Sequence, residues 1–439
     1  MGEIIMPSVF KSARLPDGRI RDVRVTDETI TAVSDSISPT SDETVFDARG
    51  MLLFPGAIDV HVHFREPGGE HKETWKTGSQ SAAAGGVTTV VDQPNTNPPT
   101  TTKTAYTSKA ALAADSVVDY GINGGVTPDW NPDTLLECPL LALGEVFLAD
   151  STGKMGIDET LFRQALIRAA KTEIPVTIHA EDAAQFNTDI YGHESGGTGT
   201  DAAVDIWSQY RSATAEIKAI ERAIEIATEV GADIHIAHTS TPAGVDAATA
   251  SNVTCEVTPH HLFLSRDNAA KLGTYGRMNP PLRSEARRKE LWDRLIAGDI
   301  DMIATDHAPH TYDEKAASLW DAPSGVPGVE TMLPLLFERA RRDEISYERI
   351  RDVTARNPAS RFGLNNKGHI AVGYDADLIL IDPTATQTIK GDILHSKCTW
   401  TPFDGMNGIF PELTMVRGTV VYDGESFGPT VGMNVTTSE

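Results

Sequence analysis

Histidines follow short apolar runs at several points of this sequence. His61 and His63 end the first of these runs, in the motif Asp-Val-His-Val-His. A spacing of two places both imidazoles on the same face of a β-strand, where they could bind a single ion. By itself this spacing is a weak signal of a metal site.

Later apolar runs end in the same kind of residue. His179 follows Val-Thr-Ile, His238 follows Ile-His-Ile-Ala, and Asp306 follows Ile-Ala-Thr. Imidazole and carboxylate ligands favour zinc or a similar ion, and this many ligands exceed what one tetrahedral site needs. We therefore predict two zinc ions, a pair that could lower the pKa of a shared water and direct it at a carbonyl carbon.

A carboxylate is also expected to reach the metals from another strand. Glu145 is the only acidic residue in the run Leu-Gly-Glu-Val-Phe-Leu. A carboxylate inside an otherwise apolar strand needs a partner that offsets its desolvation. We predict that Glu145 is a metal ligand; the alternative is a surface glutamate.

The elements that must position these residues can be read from the middle of the chain. Short apolar runs alternate there with helical stretches, which indicates a parallel sheet. Eight runs over this length favour a closed (β/α)8 barrel, in which chemistry occurs at the carboxyl ends of the strands. The predicted strands are residues 57–62, 88–91, 120–124, 141–147, 176–178, 233–237, 254–257 and 301–304.

The two ends of the chain have a different pattern. Alternating stretches at 20–25, 29–33 and 44–47, and again at 368–370, 376–381 and 413–416, are typical of short β-strands separated by turns. We expect Cys138, Cys255 and Cys398 to be buried small hydrophobic residues, since their wide spacing fits neither disulfides nor a zinc finger.

Composition excludes several classes of protein. The chain has 38 Lys+Arg against 62 Asp+Glu, a formal net charge of -24, so a nucleic-acid partner is not expected. We find no run long enough for a membrane span and no signal-peptide layout in residues 1–14, so a cytoplasmic protein is expected. The acidity suggests a surface adapted to concentrated salt; the alternative is an ordinary, mildly acidic enzyme.

The sequence resembles the dihydroorotase family of the amidohydrolase superfamily over most of its length. The matching motifs are Asp-Val-His-Val-His-Phe-Arg-Glu-Pro-Gly from Asp59, Gly-Gly-Val-Thr-Thr-Val-Val-Asp-Gln-Pro-Asn from Gly85, His-Ala-Glu-Asp from His179, Asn-Pro-Pro-Leu-Arg from Asn279, Asp-His-Ala-Pro-His from Asp306 and Gly-Val-Pro-Gly-Val-Glu-Thr from Gly325. The resemblance implies an α/β protein, a TIM-type barrel at 55–365 with a small composite β-sandwich domain from residues 1–54 and 366–439. It also implies two zinc ions and interconversion of dihydroorotate and N-carbamoyl-L-aspartate in pyrimidine biosynthesis.

One position departs from the family pattern. Many relatives carry a carboxylated lysine where this sequence has Glu145, whose side chain is shorter by about 4 Å. Either the strand lies closer to the metals, or the carboxylate bridges them asymmetrically. Occupancy of the second zinc site therefore depends on this residue.

Dihydroorotate carries a carboxylate, so its enzyme needs a fixed cation near the metals. Arg65 follows His63 by two residues, and a guanidinium group can bind a carboxylate through two hydrogen bonds. The resemblance implies that His63, Asn95, Asn279 and His310 contact the substrate as well, although both asparagines stand beside prolines and could be turn residues.

We predict Asp306 as the catalytic residue, which takes a proton from the attacking water and passes it to the departing ring nitrogen. Two alternatives stay open: a hydantoinase- or allantoinase-type cyclic amidase, and a non-catalytic scaffold. The partner expected is the small-molecule substrate, with neither nucleic acid nor membrane, and a homo-oligomer is left open.

Other histidines are given supporting roles. His260 and His261 are interpreted as residues that orient metal ligands. His235 is expected to point away from the metals, His307 to pack beside Asp306, and His193 to be solvated or structural. The segment 310–329 is either a loop that closes over the site or an ordinary surface connection.

Overall fold

The computed structural model describes residues 7–151, 154–192 and 203–436, and the interpretations of residues 1–6 and of His193 lie outside these ranges. In chain order the strands are β1 (Ser8–Arg14), β2 (Ile20–Thr26), β3 (Thr29–Ser34), β4 (Thr44–Asp47), β5 (Leu52–Pro55), β6 (Ala57–Val62), β7 (Val87–Asp92), β8 (Asp119–Ile122), β9 (Leu143–Phe147), β10 (Val176–His179), β11 (Ile234–Ile236), β12 (Thr254–Val257), β13 (Met302–Ile303), β14 (Leu378–Ile381), β15 (Thr386–Thr388), β16 (Asn407–Ile409), β17 (Leu413–Val416) and β18 (Thr419–Tyr422).

Helices alternate with the strands in the middle of the chain. They are α1 (Trp75–Ala84), α2 (Lys103–Ala113), α3 (Pro132–Leu135), α4 (Glu159–Thr172), α5 (Ala203–Tyr210), α6 (Ala213–Val230), α7 (Pro242–Ala250), α8 (Pro259–Phe263), α9 (Ala269–Leu272), α10 (Glu285–Ala297), α11 (Tyr312–Lys315), α12 (Met332–Arg341), α13 (Tyr347–Arg351) and α14 (Asn357–Arg361). Local sequence sets their ends. The longest, α6, begins after Ser212, whose hydroxyl accepts the Ala215 N–H, and ends at Gly231 with φ 69°.

Eight parallel strands form the barrel that the sequence predicts. β6, β7 and β8 pair in one sheet and β9 to β13 in a second. Backbone hydrogen bonds join the two sheets on both sides, from Gly144 N–H to Gly124 O (2.8 Å) and from His63 N–H to His307 O (2.8 Å). All eight predicted strands are therefore confirmed, with bounds that differ by a few residues at most.

Both ends of the chain contribute to one further sheet. Its order is β18-β17-β14-β5-β1-β2-β3, with β4 paired in parallel to β1, so strands from residues 8–55 lie beside strands from 378–422. This β-rich unit agrees with the composite domain expected from the resemblance. The predicted strand at 368–370 is wrong, because those residues form a bend and irregular chain. The domain boundaries at 54/55 and 365/366 stay predictions.

A buried ion-pair cluster ties the β-rich unit to the amino-terminal end of the barrel. Lys367 Nζ lies 2.7 Å from Asp119 Oδ2, at the start of β8, and 2.6 Å from Asp377 Oδ2, just before β14. The opposite, carboxyl end of the barrel is where the predicted site residues lie. Cys138, Cys255 and Cys398 are buried and free, as expected. Within the described ranges, no helix combines the length and apolar character needed to cross a membrane.

Candidate metal centre and active site

Glu145 lies between two pairs of histidines. Its Oε1 is 2.8 Å from His179 Nδ1 and 2.5 Å from His238 Nε2. Its Oε2 is 3.4 Å from His61 Nε2 and 3.9 Å from His63 Nε2. One carboxylate oxygen thus faces each pair, so the shorter glutamate side chain does reach both halves of the predicted centre, with closer contacts on one side.

The backbone before Glu145 explains how this strand comes so close to its neighbour. Gly144 has a φ of 149°, and a Cβ atom at this position would lie 2.6 Å from the backbone oxygen of Thr177 on β10. Only glycine avoids that overlap. The small residue before Glu145 therefore lets β9 approach β10 and directs the carboxylate toward the barrel axis.

Asp306 lies beside the pair formed by His61 and His63. Its Oδ1 is 2.9 Å from His63 Nε2 and 3.6 Å from His61 Nε2. The backbone is in the left-handed region at Asp306 (φ 47°), His238 (φ 34°) and Arg65 (φ 65°). Such conformations cost free energy for residues other than glycine and cluster at functional sites. All three are residues that the sequence predicts for the site.

The donor set fits two divalent ions. The atoms of His61, His63 and Glu145 lie within 4.8 Å of one another, and so do those of Glu145, His179 and His238. His61 Nε2 is fully buried, yet no described residue forms a hydrogen bond with it. Because buried polar atoms are normally satisfied, this nitrogen fits a metal ligand.

Two buried glutamates contact candidate metal ligands at the ring nitrogen that faces away from the cluster, Glu256 at His61 and Glu181 at His179. Glu256 Oε1 lies 2.6 Å from His61 Nδ1, and its Oε2 lies 3.1 Å from His235 Nε2. His235 faces away from the metal-ligand atoms, as expected, but it shares this glutamate. A carboxylate on the far nitrogen fixes the tautomer of a ligating histidine and orients its ring.

Glu181 orients His179 in the same way. Its Oε2 lies 3.0 Å from His179 Nε2 and accepts hydrogen bonds from the Arg211 guanidinium at 2.6 and 2.9 Å. Glu181, Arg211 and Glu256 were not predicted as site residues. The reasoning applied to Glu145 identifies Glu256 equally well, because it is the single acid in the apolar strand Thr-Cys-Glu-Val.

The charges in this cluster shift the pKa values of its members. Burial opposes protonation of His61, but Glu256 and Glu145 outweigh it and raise the pKa of His61 well above its ordinary value. Burial likewise opposes protonation of His179, whose hydrogen bonds to Glu145 and Glu181 nevertheless raise its pKa to about 9. In the absence of a metal ion, these carboxylates thus favour a proton on His61 and on His179. A metal ion would replace them.

Arg65 lines the cavity above this cluster and is 7% exposed. Its Nε donates to Pro309 O (3.2 Å), and its Nη2 lies 3.2 Å from His310 Nε2. No described carboxylate lies within ion-pair distance of this guanidinium. Burial lowers the pKa of Arg65 to about 10. A buried cation without an anion is costly, so the site is suited to a negatively charged ligand.

The other predicted substrate contacts divide into two groups. Asn95 and Asn279 line the cavity, which is also lined by Ser151, a residue without a sequence signal. Asn95 Oδ1 accepts from His63 Nδ1 (2.6 Å), while Asn279 donates to Ser151 Oγ (3.0 Å). Each asparagine is therefore hydrogen-bonded to another polar residue that lines the cavity, Asn95 to His63 and Asn279 to Ser151.

His310 lies behind Arg65 and is absent from the cavity lining among the described residues. Lys72 Nζ donates to its Nδ1 (3.1 Å), and its Nε2 donates to Ser324 O (2.9 Å). Burial and the neighbouring cations lower the pKa of His310 well below its ordinary value, which keeps the ring neutral. In this state the neutral His310 ring packs behind Arg65 without accepting a hydrogen bond from it.

His261 and His307 are not among the candidate metal ligands. His261 contacts Thr258 Oγ1 (2.8 Å) and donates to Pro280 O (3.0 Å), so it supports the loop that carries Asn279 and does not orient a metal ligand. His307 accepts the Gly328 N–H through Nδ1 (3.1 Å) and packs edge-on against Phe64. This agrees with its expected packing role.

Comparisons with known proteins agree with this geometry. Residues 52–421 match the model of the "Amidohydrolase family". The chain belongs to the amidohydrolase family. A dihydroorotase of Halobacterium salinarum is 60% identical over 97% of this chain and 99% of its own length. A dihydroorotase of Methanosarcina mazei is 43% identical over 92% and 91%. Among solved amidohydrolase-like structures, an L-hydantoinase from Arthrobacter aurescens has a TM-score of 0.91 and 29% identity, with coverage of 97% and 99%. The fold and family inferred from the motifs are thus confirmed.

Proposed function

We propose that this chain is a dihydroorotase, which interconverts (S)-dihydroorotate and N-carbamoyl-L-aspartate in pyrimidine biosynthesis. Dihydroorotases 60% and 43% identical over most of the chain support this assignment. The single structural observation that carries it is Arg65, a buried guanidinium that lines the cavity beside Glu145 and Asp306 and has no carboxylate of the described residues within ion-pair distance. The carboxylate of dihydroorotate would provide the missing anion.

His61, His63 and Asp306 would hold one zinc ion, His179 and His238 the other, and Glu145 both. This assignment rests on the convergence of these donors and on the buried His61 Nε2, which forms no hydrogen bond with a described residue. When bound, such ions lower the pKa of water and polarise a carbonyl group. Glu256 and Glu181 keep the rings of His61 and His179 in the orientation that binding requires.

Asp306 is the proposed proton carrier. Burial opposes its ionisation, but the hydrogen bond with His63 and the nearby histidine charges lower its pKa below the ordinary value. The carboxylate is therefore ready to accept a proton from the attacking water. It returns that proton to the ring nitrogen as the amide bond breaks, and the sequence of events reverses for ring closure.

Arg65 would bind the substrate carboxylate, while Pro309 O accepts a hydrogen bond from its Nε and the His310 ring packs behind it. Asn279, and Asn95 beside His63, would donate or accept hydrogen bonds at the ring amides. Together these groups would hold the scissile carbonyl toward the metal cluster while the carboxylate stays at the cationic side of the cavity.

The test is turnover of three substrates by the purified, zinc-loaded protein, with zinc content measured in parallel. We expect two zinc ions per chain and a kcat/KM for dihydroorotate at least about 100-fold above that for hydantoin or allantoin, which lack this ring carboxylate. Preferred turnover of hydantoin or allantoin would instead assign the chain to those amidases. A protein that binds no zinc and turns over none of the three would be a non-catalytic scaffold.

Further proposals concern the setting of the enzyme. The net charge of -24 and the relative from Halobacterium salinarum support adaptation to concentrated salt. Activity and stability should then persist in molar salt, and a steady decline of both would contradict this. Cytoplasmic localisation and a homo-oligomeric state stay predictions, with the substrate as the one partner proposed.

A further inference from the structure

Two loops form one wall of the cavity. Asn279 comes from the segment before α10, while Ser324 and Gly325 come from the segment after α11. The loops contact each other directly, since Gly325 donates its N–H to Arg277 O (3.0 Å). The wall therefore depends on how these two loops are fixed to each other.

Lys315, the last residue of α11, lies where the loops meet. It is 0% exposed, and its Nζ donates to Arg277 O (2.8 Å), Pro323 O (2.9 Å) and Gly325 O (3.1 Å). Three carbonyl acceptors match the three N–H groups of an ammonium. One carbonyl belongs to the Asn279 loop and two flank Ser324, so a single side chain holds both loops.

This lysine has no carboxylate partner. In the described part of the chain, no acidic side chain lies within ion-pair distance of its Nζ, whereas the buried Lys367 and Lys109 each pair with an aspartate. A buried ammonium is costly even when it is hydrogen-bonded, and burial lowers the pKa of Lys315. An apolar residue at position 315 would avoid this desolvation cost. The three hydrogen bonds to backbone carbonyls therefore explain why a lysine is present.

Other side chains support the loop at different points. Residues 316–325 contain no helix or strand, but Arg277 donates to Leu319 O (2.8 Å) and to Ala322 O. His310 donates to Ser324 O, and the Trp320 ring packs against other aromatic rings. Gly325 has a φ of 132°, and a Cβ there would lie 2.7 Å from the Ala308 side chain. The loop is thus pressed against the barrel at Gly325 and fixed there by Lys315.

We propose that Lys315 is a positioning residue for the substrate. Its ammonium joins the two loops into one rigid wall and so sets the position of Asn279 and of the Ser324–Gly325 backbone toward the bound ring. The inference rests on the proposed dihydroorotase function, because that function provides the ligand that the wall faces.

The first experiment compares wild type, Lys315→Met and the control Lys289→Met, whose lysine is exposed on α10. Hydrogen exchange of segments 277–279 and 316–325 is measured together with the kinetics of dihydroorotate hydrolysis. For Lys315→Met we expect exchange at least about tenfold faster in both segments and a KM about tenfold higher. The kcat should change less than threefold and zinc content should be unchanged, and the control should match wild type throughout.

Unchanged exchange and unchanged KM in folded Lys315→Met would overturn the proposal. So would equal losses in kcat and zinc content, since these would indicate a general structural role. If Lys315→Met does not fold, Lys315→Gln, which keeps two N–H donors, should give intermediate exchange and KM, and wild-type values in that variant would also overturn it. Failure of the proposed function would show separately, as wild type that does not hydrolyse dihydroorotate while the exchange difference persists.

A second measurement tests the need for the ammonium itself. Lys315→Ala removes the atoms that propylammonium would replace. Added propylammonium should lower the KM of this variant at least about threefold, while propanol, which has the same length without the charge, should not. Equal effects of the two additives, or no effect of either, would contradict the proposal.

Discussion

The floor and the wall of the cavity are fixed in opposite ways. The floor consists of side chains at the ends of barrel strands, and buried carboxylates such as Glu256 and Glu181 hold its histidines. The wall consists of loops, and a buried cation, Lys315, holds their backbone carbonyls. The positions of the floor residues follow from the strands that carry them, whereas the position of the wall depends on contacts between segments that are distant in sequence.

The floor of the cavity and the side beside it also differ in the sign of their charge. Glu145 and Asp306 make the floor anionic, which suits metal cations. Arg65 makes the neighbouring side of the cavity cationic, with the buried Lys315 close to it, which suits an anionic substrate. The local cations matter because the whole chain carries a net charge of -24 and would otherwise repel such a substrate.

The largest effect is expected at the floor, from Asp306→Asn. The amide cannot accept the proton, so kcat should fall about 10³-fold or more, while hydrogen bonding by the remaining oxygen preserves the fold. Steady-state kinetics, zinc analysis and circular dichroism together would check this outcome. The matched control is Asp321→Asn, which alters an exposed carboxylate of the 316–325 loop and should keep wild-type activity. Near-full turnover by Asp306→Asn would refute the assignment of the proton carrier.

A smaller loss is expected at the cationic side, from Arg65→Met. Removing a charge-assisted hydrogen-bond pair should cost about 1.5–3 kcal/mol of substrate binding, a loss of about 10- to 100-fold in kcat/KM that appears mainly in KM. Zinc content should not change, because Arg65 contacts none of the candidate ligands directly.

The control for Arg65→Met is Arg222→Met, which removes two exposed ion pairs on the outside of the barrel. This variant should have the KM of wild type. If Arg65→Met instead lost zinc and kept its KM, the separation between an anion-binding side and a metal-binding floor would be wrong.

This contrast also explains what the sequence could reveal. The floor residues follow apolar strands, so His61, His179, His238 and Asp306 could be placed together from strand order alone. His310 shows the limit of that reasoning, because a motif cannot show whether a side chain lies in the cavity or behind Arg65.

The supports of the site were harder to predict for a similar reason. Lys315 looks like any lysine of a polar loop, and its burial depends on three carbonyls from two segments. Glu256 could have been found by the argument used for Glu145. Glu181 could not be assigned a role without knowing that Arg211 lies beside it.

Within the floor, the supporting glutamates should affect metal affinity. Glu256→Gln and Glu181→Gln each remove a carboxylate from the far nitrogen of a histidine, so we expect zinc to bind about 10- to 100-fold more weakly. Competition with a chelator measures this. Glu256→Gln should act on the site of His61, and Glu181→Gln on the site of His179.

The control for both glutamates is Glu216→Gln, a buried glutamate that contacts Ser240, Thr241 and Arg283 but no candidate ligand. It should retain zinc affinity even if its stability falls. Equal loss of zinc in all three variants would indicate general destabilisation, and the proposed support by Glu256 and Glu181 would then fail.

The smallest effect concerns the pH dependence of zinc binding. The metal-free protein holds a proton on His179, whose pKa is raised to about 9, so zinc must displace that proton at any lower pH. Affinity should therefore rise with pH, by about tenfold per unit for each proton displaced, and the contribution of His179 should reach a plateau above pH 9, while His61, whose pKa is also raised, contributes a proton of its own. Calorimetry in buffers of different ionisation enthalpy would count the released protons. In Glu181→Gln the hydrogen bond that helps raise this pKa is weakened, so the plateau should begin at lower pH; an unshifted plateau would mean that Glu181 does not control His179.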